Sequence, residues 1–278
     1  MYPLKDIICK KEARVSSKIN MKSEDFNWEV PVETVPIPSG GVIYGENSWF
    51  FNKETVDIKA MTAHEEDILA SQAYIKKGTA VEELIKSCIM SQDANIKDLI
   101  SGDRNAIAIS IRITGYGADY DAEVTCPKCR HQNKKTFDLS SLEIKRLGAD
   151  PVQPGKNLFE YKLPVSKKVV YFKLLTGKEE EIRDETMQNK IKLMGAMAVG
   201  PITSNLESMI VSIDGIEDKG KISKFIKVMP ALDSRKLRAY MNKIQPGIDM
   251  TVKYTCENCG AESSAILPIN SNFFWPAV

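Results

Sequence analysis

Residues 124–131 read Val-Thr-Cys-Pro-Lys-Cys-Arg-His, and residues 254–261 read Tyr-Thr-Cys-Glu-Asn-Cys-Gly-Ala. Each holds a C-x-x-C pair at the end of an alternating run: Tyr120, Ala122 and Val124 lead into the first, and Ile248, Met250, Val252 and Tyr254 into the second. Further strand-like segments follow, Lys135-Thr-Phe-Asp-Leu139 in one case and Ala265-Ile-Leu267 in the other. The pattern predicts one strand–turn–strand unit occurring twice. A C-x-x-C turn brings two thiolates to one side of a metal ion with backbone amides aimed at the sulfurs, and two such turns complete a tetrahedral shell for zinc. Cys126, Cys129, Cys256 and Cys259 are therefore the expected ligands of one structural zinc ion, with no position left for water or substrate.

The spacing is unusual, because 126 residues separate Cys129 from Cys256 where a compact ribbon has about 15–20. Distance along the chain does not forbid the pairing, since loop-closure entropy grows only logarithmically with length. The expectation is a split zinc ribbon whose flanking strands form one sheet and whose middle is interrupted by a large insert. Two unconnected redox pairs, or two local disulfides, are the competing readings. Six cysteines in 278 residues are too sparse for a disulfide scaffold. Arg130 follows Cys129 where the turn favours a positive φ, a position that Gly260 fills in the second unit. With four thiolates filling the shell, His131 reads as an exposed turn residue. His64 reads as solvated, and Cys9 lies in a polar stretch without a visible partner.

Around these units the chain divides into a Pro-rich extended arm (1–60), a helical region (61–117), the first ribbon half (118–140), an α+β insert (141–247) and the second half with an aromatic tail (248–278). Thr62 with Glu65, and Thr79 with Glu82, are spaced as capping boxes and predict two helix starts. The second helix carries Val81, Leu84, Ile85 and Cys88 as one apolar stripe, which makes Cys88 a core thiol. Isoleucines at 107, 109, 111 and 113 alternate like a strand, while Asp103 as N-cap and Gly115 bracket a helix-length segment. In the insert, Phe159–Leu163 and Val169–Leu175 read as paired strands. Glu179–Met197 reads as a helix with Ile182, Ile191 and Met194 on its apolar side. Asp233 can cap another carrying Leu237, Tyr240, Met241 and Ile244, ended by Pro246-Gly247.

Charge balance excludes some functions. With 38 Lys+Arg against 37 Asp+Glu the formal charge is +1, so no global field attracts nucleic acid or an acidic membrane. The longest uncharged stretch, Leu193–Leu206, is broken by Gly195, Gly200 and Pro201 and falls short of the roughly 20 apolar residues of a membrane span. The N-terminal residues lack a signal-peptide pattern, which leads us to expect residence in a reducing cytosol. No phosphate-binding loop, dinucleotide fingerprint or H-E-x-x-H motif is present, and no catalytic group or organic cofactor site can be named. Lys128, Arg130, His131, Lys134 and Lys135 cluster at the first knuckle, which leaves a cytosolic zinc-ribbon protein that binds nucleic acid as the alternative. Glu257 and Glu262 would partly cancel that field if the two turns are adjacent, and no aromatic residue interleaves the basic ones.

Several segments together carry a resemblance. Pro38-Ser-Gly-Gly-Val-Ile-Tyr-Gly45, Ile58-Lys-Ala-Met-Thr-Ala-His-Glu-Glu66, Gly102-Asp-Arg-Asn105, Tyr116-Gly117, both C-x-x-C turns and Phe273-Phe-Trp-Pro276, in that order, resemble the baseplate hub proteins of T-even-like contractile-tailed bacteriophages. The resemblance runs from about residue 30 to the C-terminus and makes the first 30 residues look like an extension. It implies a non-enzymatic virion component, made in the host cytoplasm, that docks with other baseplate and tail proteins, with self-association among the contacts it admits. It also implies that Asp103–Gly115 is helical, against the bare periodicity. Phe273, Phe274 and Trp275 could anchor either in a partner or on the chain's own core.

Overall fold

The structure, a computed structural model, describes residues 2–3, 19–22, 27–194, 200–267 and 271–274, with side chains described for 30–192, 200–267 and 273–274. Cys9, Gly195–Met197 and Trp275, on which expectations were placed, lie outside the described residues. The fold is mixed α+β, with eight α-helices and several small antiparallel sheets among the described residues.

Near the N-terminus lie β1 (Tyr2–Pro3) and a hairpin of β2 (Ile19–Lys22) and β3 (Asn27–Val30). A second hairpin pairs β4 (Val32–Pro36) with β5 (Thr55–Lys59), Val35 standing opposite Val56. Its apolar side chains, with Ile37, Ile43, Tyr44 and Phe50 from the intervening turns, are buried, so the Pro-rich segment from residue 30 onward is part of the core. Three helices follow, α1 (Ala63–Ala70), α2 (Gln72–Lys77) and α3 (Ala80–Cys88). At α1 the Thr62 amide donates to Glu65 Oε2 at 2.9 Å and the Thr62 hydroxyl to the same oxygen at 2.6 Å. The start of α3 falls where Thr79 predicts it, but Thr79 makes no side-chain cap; Glu82 instead faces Arg104 at 3.8 Å and Lys97 at 4.0 Å. Leu84, Ile85 and Cys88 are buried, and burial with the nearby Glu65 carboxylate pushes the Cys88 thiol up to about 12, the behaviour of an inert core thiol.

The alternating isoleucines form a helix, α4 (Ser101–Tyr116). Strand-like periodicity misleads here because the helix is enclosed: every residue from Ala106 to Ile111 is buried, so both odd and even positions are apolar or small, and even Arg112 beyond them is buried. It begins two residues before Asp103, which does not cap it. Asp103 instead accepts from the Ser39 amide (2.9 Å), the Ser39 hydroxyl (2.5 Å) and the Tyr44 hydroxyl (2.6 Å), locking the Pro38–Gly45 turn onto the helix. Gly102 is obligatory beside it, since a Cβ there would sit 1.9 Å from the Pro246 carbonyl oxygen.

After α4 the chain forms β6 (Asp119–Thr125), β7 (Gln132–Asp138) and β8 (Glu143–Lys145). The intervening region contains β9 (Phe159–Lys162), β10 (Val169–Phe172), α5 (Gly177–Met194), α6 (Pro201–Met209), β11 (Ile210–Ile213), α7 (Lys219–Val228) and α8 (Ala231–Ile244). The expected β9–β10 pair is present, extended by β11 into one sheet. Leu237, Met241 and Ile244 of α8 are buried, but Asp233 sits inside that helix rather than at its cap. Its carboxylate accepts the Val165 and Ser166 amides at 2.7 and 2.9 Å and so caps the β9–β10 turn. Ile182, expected on the packed side of α5, is 54% exposed, because that helix lies on the surface and turns this side chain toward a groove shared with Met187 and Val211. Ile191 is half-buried. The chain returns through β12 (Gly247–Asp249), β13 (Thr251–Thr255) and β14 (Glu262–Ile266). β12 pairs with β8, Ile248 opposite Ile144, and β8 also pairs with β1.

Candidate metal centre

The two cysteine turns are built alike. In each, a strand pair in full register, β6 with β7 and β13 with β14, ends in a tight turn. At the first the Cys126 amide donates to the His131 carbonyl (2.9 Å) and the Arg130 amide to the Cys126 carbonyl (2.8 Å); at the second the Cys256 amide donates to Ala261 (3.0 Å) and the Gly260 amide to Cys256 (2.9 Å). The residue closing each turn has a left-handed backbone, φ 59° at Arg130 and 65° at Gly260. The first turn thus takes the form that its sequence makes costly.

Across the gap the four sulfurs meet. Cys126 Sγ lies 3.8 Å from Cys259 Sγ, Cys129 Sγ lies 3.6 Å from Cys256 Sγ, and all four fall within 4.8 Å of one another. These separations exceed a disulfide bond of about 2.05 Å, and the cysteines are free thiols. A tetrahedron with metal–sulfur bonds of about 2.3 Å has edges of about 3.8 Å, so two opposite edges already fit a zinc-sized ion. Cys126 and Cys256 are buried, Cys129 is half-buried and Cys259 is exposed.

The electrostatics favour a cation. The Cys129 amide draws the Cys126 thiol below its ordinary value, opposed by burial and helped by the Lys128 amide. Burial would raise Cys256, but the amides of Cys259 and Asn258 and the side chains of Cys129 and Asn133 bring it down to about 6. Cys259 goes the other way: the Ala261 amide lowers it, but the neighbouring thiols and burial outweigh that and push it to about 11. Four sulfurs this close cannot all ionise unaided, and a divalent cation removes the repulsion.

A comparison with protein-family models matches residues 43–275 to the family described as T4 bacteriophage base plate protein. The chain belongs to this family. The match includes both cysteine turns and everything between them. Neither the comparison with curated proteins nor that with solved structures returns a match.

In this baseplate-family chain the two hairpins remain separate two-stranded sheets and do not merge into the single sheet expected. β8 and β12 join their bases, and side chains join their tips. Asn133, fully buried, accepts the Glu257 amide at 2.9 Å through Oδ1 and donates through Nδ2 to the His131 carbonyl at 3.1 Å. The Tyr254 hydroxyl donates to the Thr125 carbonyl at 3.1 Å, and Lys135 pairs with Glu257. Sequence reasoning passed over Asn133; its signal was an amide side chain inside a strand, where asparagine is disfavoured. His131 is exposed and takes part through its backbone, and His64 is exposed on α1. Phe273 and Phe274 pack inward, Phe273 against Tyr120 at a ring separation of 5.1 Å, which settles for these two the choice between partner and core. Arg112 was also missed. It is buried at the end of α4 and donates to the carbonyls of Phe273 (2.9 Å), Gly117 (2.7 Å) and Asp119 (3.0 Å), tying helix, first hairpin and C-terminal segment together.

Proposed function

We propose that this chain is a structural component of a contractile phage tail baseplate, in its hub or inner part, and that one zinc ion held by Cys126, Cys129, Cys256 and Cys259 staples its fold. The observation that carries the first half is the family match over residues 43–275. The second half is supported by the convergence of four thiols from turns 127 residues apart, at separations that suit a tetrahedral ion. Four cysteine ligands would close the shell, so the ion would supply cross-linking rather than Lewis-acid chemistry. The role is architectural: the chain would sit among other tail proteins in the virion, with residues 141–247 carried as an insert between the halves of a split zinc ribbon. Among the described residues no helix is long and apolar enough to cross a membrane.

The nucleic-acid alternative gains nothing from the geometry. Lys134 pairs with Glu123 at 3.4 Å and Lys135 with Glu257, which neutralises part of the basic cluster at the first knuckle. The test is compositional. Tails purified from a lysate are expected to contain this chain at a fixed ratio to the other tail proteins by quantitative mass spectrometry; its absence from tails, together with salt-sensitive duplex binding by the purified chain, would reverse the assignment.

A further inference from the structure

Between the N-terminus of α4 and helices α5, α6 and α8 lies a cavity of about 290 Å³, with no residue of the cysteine turns in its lining. Arg238, Arg183, Asn205, Asn242, Gln245 and Glu180 all line it. Arg238 is the unusual member. Its Nε is buried without a hydrogen-bond partner, and no described residue forms an ion pair with it. Buried guanidinium donors are ordinarily satisfied, because the desolvation of an unmet donor is not recovered.

The one acid in the lining does not serve it. Glu180 turns both oxygens to α4, Oε2 accepting from Arg104 at 2.9 Å and Oε1 from the Ser101 hydroxyl at 2.5 Å, and makes no ion pair with Arg238. Arg183 directs its Nε to Asp184 at 2.9 Å, an aspartate that is 64% exposed. With Glu180 spent on Arg104, the cavity carries excess positive charge, and three carboxamides stand around it as further hydrogen-bond donors. A planar oxyanion fits such a site, one oxygen taking the Arg238 fork and the other an amide.

We propose that this cavity is a receptor for a protein carboxylate, either an acidic side chain or a chain terminus, presented by a neighbouring protein. The pocket stands on its own geometry; that the donor is another tail protein rests on the baseplate role proposed above. A carboxylate is favoured over a phosphate because the polar lining beyond the two arginines is three carboxamides, the Ser101 hydroxyl and the Glu180 carboxylate, an anion that repels a dianion more than a single charge.

The test follows the Arg238 Nε–H resonance by nitrogen–proton NMR in the full-length chain, assigned by its loss in Arg238→Gln. The probes are N-acetylglutamic acid α-amide as side-chain mimic, N-acetylglycine as chain-terminus mimic, N-acetylglutamine amide as neutral isostere, and inorganic phosphate. A saturable shift is expected with at least one carboxylate, with tenfold or weaker response to the neutral isostere, and the tighter carboxylate identifies the source. Arg238→Lys, monitored through the Asn242 side-chain amide, should bind at least tenfold more weakly while keeping the wild-type melting transition. No response, an equal response to the neutral isostere, undiminished binding in Arg238→Lys, or phosphate saturating at lower concentration than either carboxylate would each overturn the proposal. A chain that binds the carboxylate yet is missing from tails would refute the baseplate role alone, and a tail component with a silent pocket would refute the receptor alone.

Discussion

If a single ion joins the two turns, then removing either cysteine pair must cost the protein the same cross-link. The perturbations are two double variants, Cys126→Ser with Cys129→Ser and Cys256→Ser with Cys259→Ser, and the quadruple variant that combines them. The closed loop spans the 127 residues from Cys129 to Cys256, and the entropy withheld from the unfolded chain by a link of that length corresponds to about 5 kcal/mol at 25 °C. For a chain of 278 residues such a loss lowers the melting temperature by about 9 °C. The assay combines zinc content by elemental analysis with thermal unfolding in the presence and absence of a chelator. We expect one zinc per wild-type chain, none in any variant, and the same downward shift in all three, because the quadruple variant has no further link to lose. Zinc absorption spectroscopy should show four sulfurs at about 2.3 Å. Two zinc ions per chain, additive shifts from the two pairs, or a double variant that keeps both its zinc and its melting temperature would show that the turns act separately and would refute the staple.

Acid should act through Glu65. Burial alone would raise this carboxyl, but donors from Lys59, Ser87 and Thr62 outweigh it and hold it at about 2, below the ordinary 4.5. A depressed folded value means stabilisation that is complete above the unfolded value and lost as pH falls from about 4.5 toward 2. Glu65→Gln should therefore flatten that acid limb in denaturation curves, by on the order of 2 kcal/mol. Arg112→Met leaves three carbonyls without their charged donor and should cost about 3–5 kcal/mol in urea unfolding. Arg130→Gly removes the side chain from a left-handed turn, φ 59°, and should stabilise by up to about 1 kcal/mol, with zinc content unchanged.

How much was legible in the sequence depends on whether a residue's reason lies close by in the chain. The two cysteine turns were readable because each is local: alternation, a C-x-x-C turn, and a residue closing it, down to the unfavourable backbone at Arg130. That the turns would meet was inferable from metal chemistry alone, since four thiols demand a common centre more than two pairs do. Residues with remote partners were misread. Asp103 and Asp233 both look like helix caps, because Asp near a helix start usually caps it; instead Asp103 accepts from the amide and hydroxyl of Ser39, 64 positions away, and the Tyr44 hydroxyl, and Asp233 accepts from two amides, the first 68 positions away. α4 defeated periodicity because burial on every side erases the polar face that periodicity detects. Asn133 and Arg112 gave no motif at all, since their value lies in carbonyls and amides that only the fold brings near.

The magnitudes also say which bond governs the join between the hairpins. Their bases are held by three residue pairs of β8 and β12, so the bases stay together whatever happens at the tips. The tips share no backbone ladder. Without an ion they would rest on the Asn133 and Tyr254 hydrogen bonds, worth about 1 kcal/mol each, and on the Lys135–Glu257 pair, whose partially exposed charges add no more than about 1 kcal/mol. That sum is smaller than the cross-link contribution of about 5 kcal/mol that a bound ion would add. On the proposed zinc site, an ion would therefore supply most of the strength with which the tips are held, while Asn133 and Tyr254 set the register at which they meet. If the proposed ion is bound, the placement of the two tips, and with it the surface they offer for assembly, would depend on zinc.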